Sequence, residues 1–104
     1  MIFIETPVFT ADVQALLSDE EYRCFQLFLA CVPEVGDVIQ GTGGLRKVRW
    51  ASGGKGKRSG VRVIYYYLTA QQQLRLILIY RKGLKDDLSE DEKKVLRDLN
   101  QGWK

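Results

Sequence analysis

Eleven of the chain's sixteen lysines and arginines lie between residues 41 and 85, a stretch that contains no acidic residue. Residues 1–40 hold seven acids and one base, Arg23, and residues 86–104 hold six acids and four bases. The net charge of +3 therefore conceals a segregation of −6, +11 and −2 along the chain. Forty-five residues without a carboxylate cannot neutralise one another locally. They call for solvent, acids folded in from elsewhere or an anionic partner, and a polyanion is the natural candidate.

The spacing of these bases suggests contact with a sugar–phosphate chain. Arg46, Lys47 and Arg49 fall in one extended run, with Lys47 and Arg49 on a shared face because strand side chains alternate. Lys55, Lys57 and Arg58 are interleaved with glycines, so the backbone can approach a phosphate closely while the side chains reach its oxygens. Arg62 begins the next run, and Tyr80, Arg81 and Lys82 close the one after it. If these runs are antiparallel neighbours, the head of one lies beside the tail of the next. Arg62 then sits near both the end of the 45–50 run and the Tyr80–Lys82 end.

Other chemistries find little support. The chain has no histidine, which removes Ser/His and Cys/His pairs and histidine-based metal clusters. Gly41-Thr42-Gly43-Gly44 lacks the lysine and spacing of a phosphate-binding P-loop and precedes a strand, so it reads as a turn. Cys24 and Cys31 are seven apart on a helix, about 10 Å along its axis, beyond disulfide reach. They are expected as two buried core thiols in a reducing cytosol. Tyr65, Tyr66 and Tyr67 divide between two sheet faces and read as core and rim residues rather than base-stacking platforms.

Local signals place these groups on a small domain spanning residues 1–104. Ile2–Glu5 reads as a first strand, and Thr6-Pro7 as a capped helix start. The helix runs to about Leu17. Ser18 to Glu21 forms a capping box that opens a second helix, with Phe25, Phe28, Leu29 and Val32 toward the core and Pro33 ending it. Residues 36–44 read as a loop, followed by strands over 45–50, 61–68 and 74–80, the last two joined by a polar turn. A second capping box, Ser89 to Glu92, opens a final helix with Val95, Leu96, Leu99 and Trp103 on its buried side. The expected order is β-α-α-β-β-β-α, an α+β fold with helices packed on one face of a small, mainly antiparallel sheet. No apolar run approaches the roughly 20 residues of a membrane helix, and the first residues carry no export signal.

Leu17-Ser18-Asp19-Glu20-Glu21-Tyr22-Arg23, the run from Gly36 to Lys47, Lys55-Gly56-Lys57-Arg58 with Arg62-Val63-Ile64-Tyr65-Tyr66, and Ile79-Tyr80 with Lys82 share a further property. Together, and in this order, they closely resemble the HigB-like branch of the RelE toxin superfamily. The resemblance spans nearly the whole chain. It implies the RelE-like fold and a cytoplasmic toxin that cleaves messenger RNA in the 30S A site of the translating ribosome. It also implies a cognate antitoxin, and the +11 segment suggests that an acidic or amphipathic part of that partner masks the basic edge.

By position, Lys55, Arg62 and Lys82 fall where the family carries functional bases, with Lys57 and Arg58 close by. The best-known members also place a tyrosine beyond the last strand, whereas here no tyrosine follows Tyr80.

RNA supplies its own nucleophile, the ribose 2′-OH, so cleavage needs no histidine, metal or cofactor. A base must remove that proton, a cation must hold the phosphate, and an acid must protonate the departing 5′-oxygen. Arg62 suits the phosphate through its planar fork. A lysine crowded by cations has a lowered pKa and suits proton transfer, Lys55 and Lys57 belong to the expected catalytic set, and Lys82 or Tyr80 suits the acid. Arg46, Lys47, Arg49, Arg58 and Arg81 are expected to contact RNA backbone. Two competing readings are a ParE-like toxin that acts on DNA gyrase without cleaving RNA, and a plain RNA-binding module.

Overall fold

The computed structural model describes residues 1–51, 60–81, 83 and 87–103. Strand β1 (Ile2–Glu5) leads into helix α1 (Pro7–Leu16), α2 (Asp19–Cys31), β2 (Asp37–Val38), β3 (Arg46–Trp50), β4 (Val61–Leu68), β5 (Gln73–Arg81) and α3 (Glu90–Gln101). The five strands form one sheet in the order β1-β5-β4-β3-β2. Among the described residues, only the β1–β5 pairing is parallel. The class, the mainly antiparallel sheet and every expected element are present. One strand is added: β2, two residues long, lies inside the segment expected as loop.

The helix starts follow from local chemistry. The Thr6 hydroxyl accepts from the Phe9 amide at 3.1 Å, with Pro7 at the first helical position, where its missing N–H costs nothing. Both capping boxes form. Ser18 accepts from the Glu21 amide while Glu21 accepts from the Ser18 amide, and Ser89 and Glu92 repeat the arrangement. Each cap contributes about 1 kcal/mol.

The sheet separates two apolar clusters. Phe9, Val13, Leu17, Phe25 and Leu29 of the α1–α2 region pack on Val48, Val61, Val63, Tyr65, Leu74, Leu76 and Ile79. Leu45, Ile64, Ile77, Tyr80 and Leu88 form the second cluster, joined by Leu96 of α3. Because β4 alternates between the two clusters, they lie on opposite faces. The helices are thus divided, with α1 and α2 on one face and α3 on the other, rather than gathered on one face. Hydrophobic periodicity shows that a helix has an apolar stripe but carries no information about which side of a sheet receives it.

Three other expectations are corrected. Cys24 and Cys31 are exposed, because the buried stripe of α2 runs through Phe25 and Leu29 and both thiols lie to one side of it. Val32, at the end of that helix, is 42% exposed. Val95 and Leu99 are 64% and 47% exposed, so α3 rests on the sheet mainly through Leu96. Its far end is fixed by polar contacts. The buried Arg75 guanidinium donates to the Asn100 side-chain oxygen at 3.0 Å and lies near both the Tyr66 and Trp103 rings.

Register shifts between Ile64 and Tyr65, where Ile64 pairs with Leu78 but Tyr65 pairs with Leu76. Ile77 is the extra residue of this bulge. On its N-terminal side, Leu74 and Leu76 join the α1–α2 cluster. Beyond it the alternation is reversed, so Ile79 keeps that side and Tyr80 faces the other.

Candidate functional site

Arg49 of β3 pairs with Arg62 of β4, and Arg62 pairs in turn with Tyr80 of β5. Residues directly opposite in antiparallel strands point to the same face, with Cβ atoms about 4.5–5.5 Å apart. Arg49, Arg62 and Tyr80 therefore form one row across three strands, on the face away from α1 and α2. The bulge is what carries Tyr80 to this side. Lys47, two residues before Arg49, shares the face and pairs with Ile64.

The surroundings make a mixed-charge cleft. Val35, Asp37, Lys47, Arg49, Arg62 and Asp87 line a cavity of about 470 Å³. Asp37 of β2 is the cross-strand partner of Lys47. Asp87, just before α3, brings its Oδ1 to 3.1 Å from the Lys47 Nζ, with the Lys47 side chain 28% exposed and that of Asp87 83%. Three cations and two carboxylates thus meet where the sequence alone suggests cations only. Arg62 is half-buried and Tyr80 buried, so the floor of the row is fixed by the sheet, whereas Arg49 stands exposed at its rim.

The expected site residues divide accordingly. Lys47, Arg49 and Arg62 come together in the cavity, whereas Tyr80, beside Arg62 in register, keeps its hydroxyl buried in the second apolar cluster and does not suit the expected role of acid. Arg46 and Arg81 point to the opposite face, as the partners of Tyr65 and Val61. Arg46 is engaged there, its Nη1 donating to the Gly36 carbonyl at 2.8 Å and to the Glu34 carbonyl at 3.0 Å. Lys55, Lys57, Arg58 and Lys82 lie outside the described residues. In sequence, the first three belong to the connection between β3 and β4, and Lys82 follows the last residue of β5. Asp37 and Asp87 are the residues that sequence reasoning missed. Both have the same faint sequence signal, a carboxylate that flanks the acid-free segment, Asp37 before it and Asp87 after it.

The α2–β3 connection that borders the cleft is held from beneath by Tyr65. Its hydroxyl donates to the Pro33 carbonyl at 2.8 Å and accepts from the Gly36 amide at 2.9 Å. Burial raises the Tyr65 pKa above its ordinary value, opposed by the Gly36 hydrogen bond and the nearby Arg46. The glycine run beyond behaves as the expected turn. Gly41, Gly43 and Gly44 adopt positive φ, and the buried Thr42 hydroxyl donates to the Ile39 carbonyl and accepts from the Leu45 amide.

No family model matches the sequence. Among solved structures, the chain is similar to the isolated E. coli RelE toxin in its P21 crystal form, with a TM-score of 0.60. The alignment covers 94% of this chain and 97% of that one, at 13% identity. The fold is RelE-like. At this identity the likeness concerns the path of the backbone, and the chemistry of the cleft has to be argued from its own residues. No helix among the described residues is long and apolar enough to cross a membrane.

Proposed function

We propose that the chain is a ribosome-dependent messenger-RNA endonuclease of the HigB-like kind, the toxin of a toxin–antitoxin pair, acting in the cytoplasm. The observation that carries this reading is the Arg49–Arg62–Tyr80 row, with Lys47 beside it, on one face of a RelE-like sheet. Two arginines placed opposite each other in a sheet repel, and an anionic ligand between them relieves that repulsion.

In this reading Arg62 grips the scissile phosphate with its fork and stabilises the charge that develops as the ribose 2′-oxygen attacks. Lys47 and Arg49 hold the neighbouring backbone, together with Lys55, Lys57 and Arg58 from the adjoining connection. Lys82, which follows β5 in sequence, protonates the 5′-oxygen as it leaves. The reaction uses the substrate's own hydroxyl and requires no metal or cofactor. The ribosome presents the message, and a cognate antitoxin restrains the toxin by covering or distorting the basic edge.

The test is to induce the protein in bacterial cells and map RNA 5′ ends. The expected result is translational arrest with new 5′ ends inside translated messages. Intact messages with damaged gyrase would replace this reading with a ParE-like one. Intact messages and intact gyrase, with RNA retained on the protein, would leave only an RNA-binding module.

A further inference from the structure

We propose that Asp87 is the general base that takes the proton from the ribose 2′-OH; this rests on the endonuclease reading above. A cleft built only to hold phosphate gains nothing from a carboxylate, since each one repels the ligand. Yet Asp87 lines the same cavity as Arg49 and Arg62, in ion-pair contact with Lys47 at 3.1 Å. An ion pair this exposed contributes little to stability, so folding gives no sufficient reason for it. With its side chain 83% exposed, the carboxylate is open to a ribose in the cleft.

The step balances with groups already named. Asp87 accepts the 2′-O–H proton as the 2′-oxygen forms its bond to phosphorus and the bond from phosphorus to the 5′-oxygen breaks. Arg62 compensates the added charge on the phosphoryl oxygens, and the acid of the endonuclease reading protonates the 5′-oxygen. The upstream fragment keeps a 2′,3′-cyclic phosphate and the downstream one a 5′-hydroxyl, while Asp87 returns its proton to solvent. Lys47 acts as a positioning residue, aiming the carboxylate. Asp37, its cross-strand partner on the other side, is the natural control.

Single-turnover cleavage of a programmed ribosome, followed against pH, tests the assignment. The charged groups that share the cleft among the described residues are Lys47 and Arg49 of β3, Arg62 of β4 and Asp37 of β2. Asp87→Asn should cleave about 100-fold or more slowly at saturation. It should also bind the ribosome complex at least as tightly as the unaltered chain, because a negative charge has left a phosphate site. The rise of the wild-type rate with pH in the acid range should disappear in Asp87→Asn, persist in Asp37→Asn and reappear with partial activity in Asp87→Glu. A wild-type rate in Asp87→Asn, or loss of the acid limb in Asp37→Asn, overturns Asp87 as the base while leaving the endonuclease reading standing. Absence of cleavage by the unaltered chain overturns both.

Discussion

Arg49 and Arg62 are directly paired across β3 and β4, two cations where a sheet ordinarily places opposite charges or apolar groups. Such a pair is destabilising in the isolated fold. It becomes favourable when a phosphate lies between the two guanidinium groups. Stability of the free protein and affinity for RNA should therefore move in opposite directions at this pair. Arg49→Gln is expected to raise the thermal midpoint slightly and to weaken ribosome binding. The salt dependence of binding should flatten by roughly one phosphate contact, a change of about 0.7–0.9 in the log–log slope. Melting curves and binding titrations over a salt series measure both.

Gly36 meets Tyr65 so closely that a Cβ there would lie 2.8 Å from the ring and 3.0 Å from the Lys47 carbonyl. Neither neighbour can retreat, since Tyr65 is fully buried and the carbonyl belongs to a sheet strand. Gly36→Ala should cost about 1–3 kcal/mol. Tyr65→Phe removes the acceptor of the Gly36 amide and should cost about 1–3 kcal/mol by leaving that buried donor unpaired. Denaturant unfolding measures each loss. Because this contact supports the edge that carries Lys47, both variants should also lose cleavage at temperatures well below their midpoints.

Alkaline pH should weaken the fold through two tyrosines. Burial raises the Tyr22 pKa, and its hydrogen bond to the Glu5 carboxylate raises it further. Burial also raises that of Tyr65. The ordinary value is 10.0. Both phenols therefore stay protonated in the folded chain at pH values where the unfolded chain ionises. Their contribution is complete below pH 10 and falls as pH rises above it. Stability measured from pH 8 to 12 should decline more steeply above 10, and Tyr22→Phe should reduce that slope.

The parts of this fold that local chemistry specifies could be read from the sequence. Thr6-Pro7, the two capping boxes and the alternation that puts Lys47 beside Arg49 depend on residues within one turn or one strand. What depends on distant partners could not. The face chosen by α3, the exposure of Cys24 and Cys31 and the two-residue β2 all follow from how elements meet. The bulge at Ile77 is the sharpest case, because simple alternation from Leu74 and Leu76 would turn Tyr80 away from Arg62. Charge counting also overstated the cationic surface. Arg75 is buried against Asn100, Tyr66 and Trp103, and Arg46 holds backbone carbonyls on the far face. The carboxylate of Asp87 enters the cleft from beyond the acid-free segment, which no count of that segment could reveal.

Arg62 occupies the centre of the row, held by strands on both sides, where its contact with the reacting phosphate is central to catalysis in the endonuclease reading. The decisive measurement is single-turnover cleavage of messenger RNA on a programmed ribosome at saturating protein, so that weaker binding is compensated. Arg62→Ala should lose cleavage by about 100-fold or more while its melting curve shows a folded protein. Arg62→Lys should remain severely impaired, because the charge is kept but the two-pronged grip is lost. An Arg62→Ala protein that cleaves at the normal rate once saturated would contradict the assignment of this row as the catalytic centre.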